Sequence, residues 1–232
     1  MHELNAIREH FKGLFISSPE EVLHRFEKIK AVVFDWDGVF NGGYKDAEGS
    51  SPFSEVDAMG TNLLRFNFHL RNERQLITAI ISGEHNKAAQ ALAQREHFHA
   101  VYNGFKHKVF ALEHFCEEHK IHESEVVFVF DDVLDFSMAE RCGLRVMVNR
   151  ASNPMLVQWA QKNSLIDYLT AADGMHHAVR ETVELLTAIS GLYDETIGNR
   201  AAYSTRYQRY LSERNETFTN YFTIRDSIIT RI

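Results

Sequence analysis

The spacing of apolar residues changes along the chain. Near the start, Leu4, Ile7, Phe11 and Leu14 recur at helical intervals, which predicts a helix with one apolar face. Ser18-Pro19-Glu20-Glu21 follows. A serine able to cap, a proline at the first helical position and a glutamate three residues on predict a second helix start. Val22, Leu23, Phe26 and Ile29 supply its apolar face. At Ala31-Val32-Val33-Phe34 the helical period stops. That run is too short for an independent helix and rich in β-branched side chains, so it reads as a strand buried on both faces. Similar runs recur at 75–81, 126–130 and 144–148, with amphipathic segments at about 57–71, 84–95, 106–120, 134–142 and 154–163.

Strands alternating with helices predict an α/β, Rossmann-like fold, a parallel sheet flanked by helices. Residues 39–56 break the alternation. Asn41-Gly42-Gly43 and Asp46-Ala47-Glu48-Gly49 are turn-forming sequences around short extended pieces. They predict a β-hairpin flap after the first strand, too small to form a separate cap domain. From Gly174 on the pattern is helical, with Val179, Val183, Leu186 and Ile189 on one face. Beyond Gly198 the chain is rich in Tyr and Arg with weak apolar periodicity. The expected layout is a helical lead-in over 1–28, a core over 29–193 with the flap at 39–56, and a helical tail over 194–232.

Composition narrows the function classes. With 44% hydrophobic and 12% aromatic residues the chain is globular, not disordered. A formal net charge of −7 argues against a broad nucleic-acid surface. No apolar run approaches the length of a membrane span, and the first residues lack a signal-peptide core. Cys116 and Cys142 are too few for a disulfide framework and suit a reducing, cytoplasmic setting. The 13 histidines suggest a metal, but His97/His99 and His176/His177 lack the i, i+4 spacing of a helical zinc site, and no cysteine cluster accompanies them.

The chemistry gathers at strand ends. The first strand ends in Asp35-Trp36-Asp37-Gly38, the second in Ser82-Gly83, and the run 126–130 in Asp131-Asp132-Val133-Leu134-Asp135; Lys108 follows Gly104 at a helix start. In an open parallel sheet these ends converge on one ligand-binding edge. A carboxylate can attack phosphorus and carry the phosphoryl group, and a second carboxyl can protonate the leaving oxygen and then deprotonate water. Several carboxylates close together suit a hard divalent cation such as Mg²⁺. A lysine and a small hydroxyl supply the remaining contacts to phosphate. Lys106 competes with Lys108 for the lysine position, and the spacing from Gly104 favours Lys108.

The ordered motifs VVFDWDGVF, FSEVDAMG, AIISG, NGFKHK, VFVFDDVLDFSMAERCGL and AVRETVELL resemble the haloacid dehalogenase superfamily of phosphohydrolases over roughly residues 29–193. Within it the chain is similar to the capless 3-deoxy-manno-octulosonate 8-phosphate phosphatase subfamily. The resemblance implies Asp35 as nucleophile and Asp37 as general acid/base. It implies Ser82, Gly83 and Lys108 around the phosphate, Asp35, the Asp37 carbonyl and Asp131 on Mg²⁺, and Asp132 or Asp135 in support. It further implies a small phosphorylated metabolite as substrate and a homo-oligomer, a tetramer by the same likeness, whose subunits help cover the site. Three positions depart from the family pattern. Phe130 stands where glycine is usual, Asn41 where threonine commonly follows, and Glu84 where the sugar-acid phosphatases usually carry arginine. Asn41 and Glu84 are therefore candidate substrate-selecting positions, and Glu84 is expected to disfavour a sugar carboxylate.

Two other readings use the same residues: a receiver-like domain that carries phospho-aspartate, and a non-catalytic regulatory relative. Asp37 argues against the first, since a receiver needs no acid/base there, and the complete acid set argues against the second. The tail, with Arg206, Tyr207, Arg209, Tyr210 and Arg214 on one helical side, is expected to dock across a subunit contact near the acidic mouth.

Overall fold

The computed structural model describes residues 2–226 and 228–232. Helix α1 (His2–His10) leads to a two-residue strand β1 (Leu14–Phe15) and helix α2 (Pro19–Phe26). The α2 start is as its sequence predicts: Ser18 accepts from the Glu21 amide while Glu21 accepts from the Ser18 amide. The core then alternates through β2 (Ala31–Phe34), α3 (Glu55–Asn72), β3 (Ile77–Ser82), α4 (Lys87–Arg95), β4 (Ala100–Asn103), α5 (Lys108–His119), β5 (Val126–Phe130), α6 (Phe136–Ala139), β6 (Leu144–Met147), α7 (Pro154–Lys162), β7 (Tyr168–Leu169) and α8 (Ala178–Ile189). Two further helices, α9 (Tyr193–Ala201) and α10 (Thr205–Asn215), precede two strands, β8 (Asn220–Arg225) and β9 (Ile228–Arg231).

The nine strands of the described residues form one sheet in the order β1-β7-β6-β5-β2-β3-β4-β8-β9. The pairings are parallel except at the two edges, β1 with β7 and β8 with β9. Side chains alternate across the sheet, so two cores form. Val32 and Phe34 face Phe26, Leu64, Phe68, Val183 and Leu186 on one side. Ala31 and Val33 face Leu112, Phe115, Ala139 and Ala160 on the other. Both faces of the central strands are covered, which is why they read as continuous apolar runs. No separate cap domain is present among the described residues.

Two expectations need correction. Residues 39–56 do not form a β-hairpin: 39–54 are turns and loop with no strand ladder, and 55–56 already belong to α3. The loop backbone closes a turn at the start, Val39 and Phe40 N–H to the Trp36 carbonyl, and another at 46–50, Asp46 N–H to the Ser50 carbonyl and Gly49 N–H to the Asp46 carbonyl. Gly42, Gly43, Gly49 and Pro52 weaken any ladder. Side chains of the core hold the loop instead, through Trp36 Nε1 to the Ser51 carbonyl and Ser50 Oγ to Asn86 Oδ1.

The tail is not helical throughout, and it does not stand apart from the core. After α10 the chain re-enters the sheet, β8 pairing in parallel with β4 from Ala100–Asn220 to Asn103–Thr223. Without β8, β4 would be an open edge of unpaired amides. The segment Asn220-Tyr221-Phe222-Thr223-Ile224 alternates its faces: Phe222 is buried in one core while Tyr221 packs on the other. Tyr207 and Tyr210 of α10 are buried against Phe66 of the same chain. Arg206 and Arg214 pair with Glu195 and Glu96, so the aromatic and basic side chains expected at a subunit contact are used within the chain.

Candidate active site

Phe34 lies beside Ile80 of β3 and Val129 of β5 in the ladder. The residues just beyond these strands therefore meet at one edge: Asp35 after β2, Ser82 at the end of β3, Asp131 after β5. The Asp35 amide still donates to the Val129 carbonyl at 2.9 Å, which fixes the first residue outside the strand. Gly104, at φ +79°, turns the chain after β4 so that α5 begins at Lys108. The 3₁₀ turn 133–135 after β5 places Asp135 on the same side.

Asp35, Ser82, Lys108, Asp131 and Asp135 are all buried. Lys108 Nζ lies 2.5 Å from Asp35 Oδ1 and also pairs with Asp135. One oxygen from each of Asp35, Asp131 and Asp135 falls within 4.8 Å of the others. Together with Asp37, Ser82, Gly83, Glu84, Asp132 and Arg150 they line a cleft of about 370 Å³. Lys108, not Lys106, is the lysine inside.

Burial and crowding govern the charges. Burial, opposed by Lys108 and reinforced by Asp135, raises the Asp35 carboxyl to about 7. Burial and the negative charges of Asp35 and Asp135 raise Asp131 to about 8, despite Arg150. Burial pulls the Lys108 ammonium down, but Asp135 and Asp35 outweigh it and hold it above the usual lysine range. The cluster is thus short of positive charge, and its donors are all carboxylate oxygens. Both features fit a hard divalent cation such as Mg²⁺.

Asp37 sits at the rim of the cleft. Its carboxylate accepts from Ser51 Oγ and pairs with Lys45 at 2.7 Å. Gly38, at φ +88°, lets the loop pass close to Asp131, where a Cβ would collide with its carboxylate. Asp135 enters the buried cluster, whereas Asp132 stays half-buried and caps the Val133 amide at 2.6 Å. Ser82 Oγ accepts from the Glu84 amide at 3.2 Å. Glu84 faces the cleft but is ion-paired with Lys106 at the surface, so its charge is offset by a neighbour that the local motif did not reveal.

Asn41 lies outside the cleft. Its Oδ1 accepts from the Gly43 amide at 2.8 Å and its amide donates to the Trp36 carbonyl, which shapes the loop. Phe130 points into the core, packed on Phe128 and Phe136, so the ring in place of glycine does not fill the cleft. Asp57 of the FSEVDAMG motif is buried too, but it accepts from the Arg180 amide at 2.9 Å and anchors the start of α8. Sequence reasoning missed Lys45, Ser51 and Arg150. Arg150 follows β6, and the strand-end rule that found Asp35 applies equally there.

No family model matches the chain. It is 28% identical over 182 residues to the 3-deoxy-D-manno-octulosonate 8-phosphate phosphatase KdsC of Escherichia coli K12, covering 77% of this chain and 89% of that protein. The Salmonella typhi protein of that name is 29% identical, over 76% and 89%. A Legionella pneumophila protein assigned to haloacid dehalogenase superfamily subfamily III A superposes with a TM-score of 0.65 at 25% identity, covering 82% of this chain and 95% of that one. The 3-deoxy-D-manno-octulosonate 8-phosphate phosphatase of Moraxella catarrhalis, solved with magnesium, phosphate and a KDO molecule, shares the fold at a TM-score of 0.64 and 24% identity, over 78% and 98%.

Proposed function

We propose that this chain, a phosphatase of the haloacid dehalogenase superfamily, hydrolyses a small phosphorylated sugar or sugar acid in a Mg²⁺-dependent reaction, with Asp35 as nucleophile. The observation that carries the reading is the buried Asp35–Lys108–Asp135 array beside Asp131 at the edge of the central strands.

The roles follow from the environments. Lys108 favours the ionised form of Asp35 and orients it for attack. One Asp35 oxygen bonds to phosphorus as the ester oxygen leaves with the pair of electrons of the broken P–O bond. Asp37, at the rim and more open to solvent than Asp35, gives that oxygen its proton. Asp37 then takes a proton from water, whose oxygen attacks the phosphorus carried on Asp35. Inorganic phosphate departs and the Asp35 carboxylate is restored. Ser82, the Gly83 backbone and Lys108 hold the phosphoryl oxygens. Asp35, Asp131 and the Asp37 carbonyl, with Asp135 near, would hold the cation, which would supply positive charge to offset the carboxylates and polarise the phosphoryl group. Asp132 shapes the rim, and Glu84 with Lys106 forms one wall for the rest of the substrate. The relatives' names point to 3-deoxy-octulosonate 8-phosphate, and the Lys106–Glu84 pair removes the repulsion expected from Glu84 alone.

The proposal extends to the setting: a cytoplasmic enzyme that takes a phosphorylated metabolite and assembles as a homo-oligomer. Both cysteines are free and buried, consistent with a reducing compartment. Tyr44 of the 39–56 loop and Met175 beside it are exposed and offer apolar surface for a subunit contact. Phosphate release from 3-deoxy-octulosonate 8-phosphate, neutral sugar phosphates and nucleotides, each with Mg²⁺ and with chelator, tests the reading. Turnover of a sugar or sugar-acid phosphate that chelator abolishes is expected. Release from none of them, or undiminished release in chelator, overturns it.

A further inference from the structure

Lys106, Lys108 and Arg150 are the cations lining the cleft among the described residues. Lys108 is buried between Asp35 and Asp135, and Lys106 is held by Glu84. Arg150 is placed differently. Its Nη2 lies 2.5 Å from Asp131 Oδ2, yet 35% of its side chain remains exposed. Its anchor is one of the three carboxylates of the cation-suited cluster. The Gly38 backbone lies against the guanidinium so closely that a Cβ there would fall 2.3 Å from Nη2. Arg150 thus reaches the cluster across a gap that only a glycine leaves open.

A guanidinium and a divalent cation on the same carboxylate repel each other and compete for its oxygens. Of the three cations, only Arg150 is paired solely with a carboxylate of that cluster and is also open to the cleft. We propose that Arg150 is the counter-ion of Asp131 in the metal-free protein, yields that carboxylate to Mg²⁺, and then binds a second anionic group, a carboxylate, on the phosphorylated substrate. This deepens the phosphatase reading and rests on it. Among the described residues the opposite wall offers no free cation, since Glu84 takes Lys106. The planar fork of Arg150 is suited to a carboxylate, which it binds through two parallel hydrogen bonds.

The test has two arms on the full chain, with Arg150→Gln and the charge-keeping Arg150→Lys. In the first, calorimetry measures Mg²⁺ binding without substrate. Arg150→Gln is expected to bind Mg²⁺ about 3- to 10-fold tighter than the wild type, since a competing charge has gone, whereas Arg150→Lys stays near the wild type. In the second, KM is compared for a sugar-acid phosphate and a neutral sugar phosphate of similar size. Arg150→Gln is expected to raise KM for the acid by about tenfold and to change it little for the neutral ester. Unchanged or weaker Mg²⁺ binding in Arg150→Gln overturns the counter-ion role, and an equal rise of KM for both esters overturns the recognition role. A wild type that binds Mg²⁺ but hydrolyses neither ester fails the phosphatase reading instead, and the calorimetric arm still decides the pairing with Asp131.

Discussion

The cleft at the ends of β2, β3 and β5 and the sheet edge built by residues 193–232 both bury charge, but to opposite ends. At the cleft, Asp35, Asp131 and Asp135 crowd like charges around one ammonium, and the Asp35 and Asp131 carboxyls respond by holding protons. At the edge, Arg65 is fully buried, yet it donates to the Glu96 and His97 backbone carbonyls, and Arg214 pairs with Glu96 beside it. There Arg65 and Arg214 each meet acceptors on the turn after α4, and these bonds tie α3 and α10 to that turn. Burial of charge does not by itself distinguish a site from a clamp. What distinguishes them is whether the charges already satisfy one another.

That contrast predicts opposite outcomes for charge removal. Asp35→Asn should lower kcat by at least about 10³-fold, since the amide cannot attack phosphorus. The melting temperature should hold or rise, because one of the crowded charges is gone. Retained turnover, or a clear loss of stability, would place Asp35 with the clamps.

Arg65→Met should behave in reverse. It leaves two buried carbonyls without donors and is expected to cost about 3 kcal/mol of stability by denaturant unfolding. Turnover per folded molecule should stay within about twofold, because Arg65 touches nothing in the cleft.

The crowding also fixes a pH dependence. Asp35 and Asp131 lie at about 7 and about 8, above the ordinary 3.8, so between those values the folded state holds protons that the unfolded chain has released. Stability of the metal-free protein therefore falls as pH rises from about 4 to about 8. Mg²⁺ requires the ionised carboxylates, so the rise in melting temperature that it produces should be larger at about pH 8 than at about pH 5.5. Equal increments at the two values would contradict the charge balance drawn for the cleft.

The smallest effect is expected at the edge. Tyr207 donates to Asn62 Oδ1 at 3.0 Å, and Tyr207→Phe removes that bond while keeping the ring on Phe66. A loss of about 1 kcal/mol without change in KM is expected. A shift in KM would bring the tail back towards the catalytic edge.

The sequence by itself determined the central sheet and which acids and which lysine gather at its edge. Ala31–Phe34 and Val126–Phe130 are apolar on both faces, and each is followed at once by acids, so strand, edge and chemistry could be read together. Ser18 and Glu21 likewise announced their helix through a local reciprocal bond. Tertiary structure decided what depends on partners distant in sequence. Asn220–Arg225 becomes a strand because β4 leaves an edge to fill, and the 39–56 loop forms no hairpin because its polar groups are held by Trp36 and Asn86. The choice of Asp135 over Asp132, the neutralisation of Glu84 by Lys106 and the reach of Arg150 to Asp131 also required the fold. The reason is physical: a cap or an apolar run is a property of neighbouring residues, whereas an ion pair across 19 or 22 residues exists only once the strands between have been laid side by side.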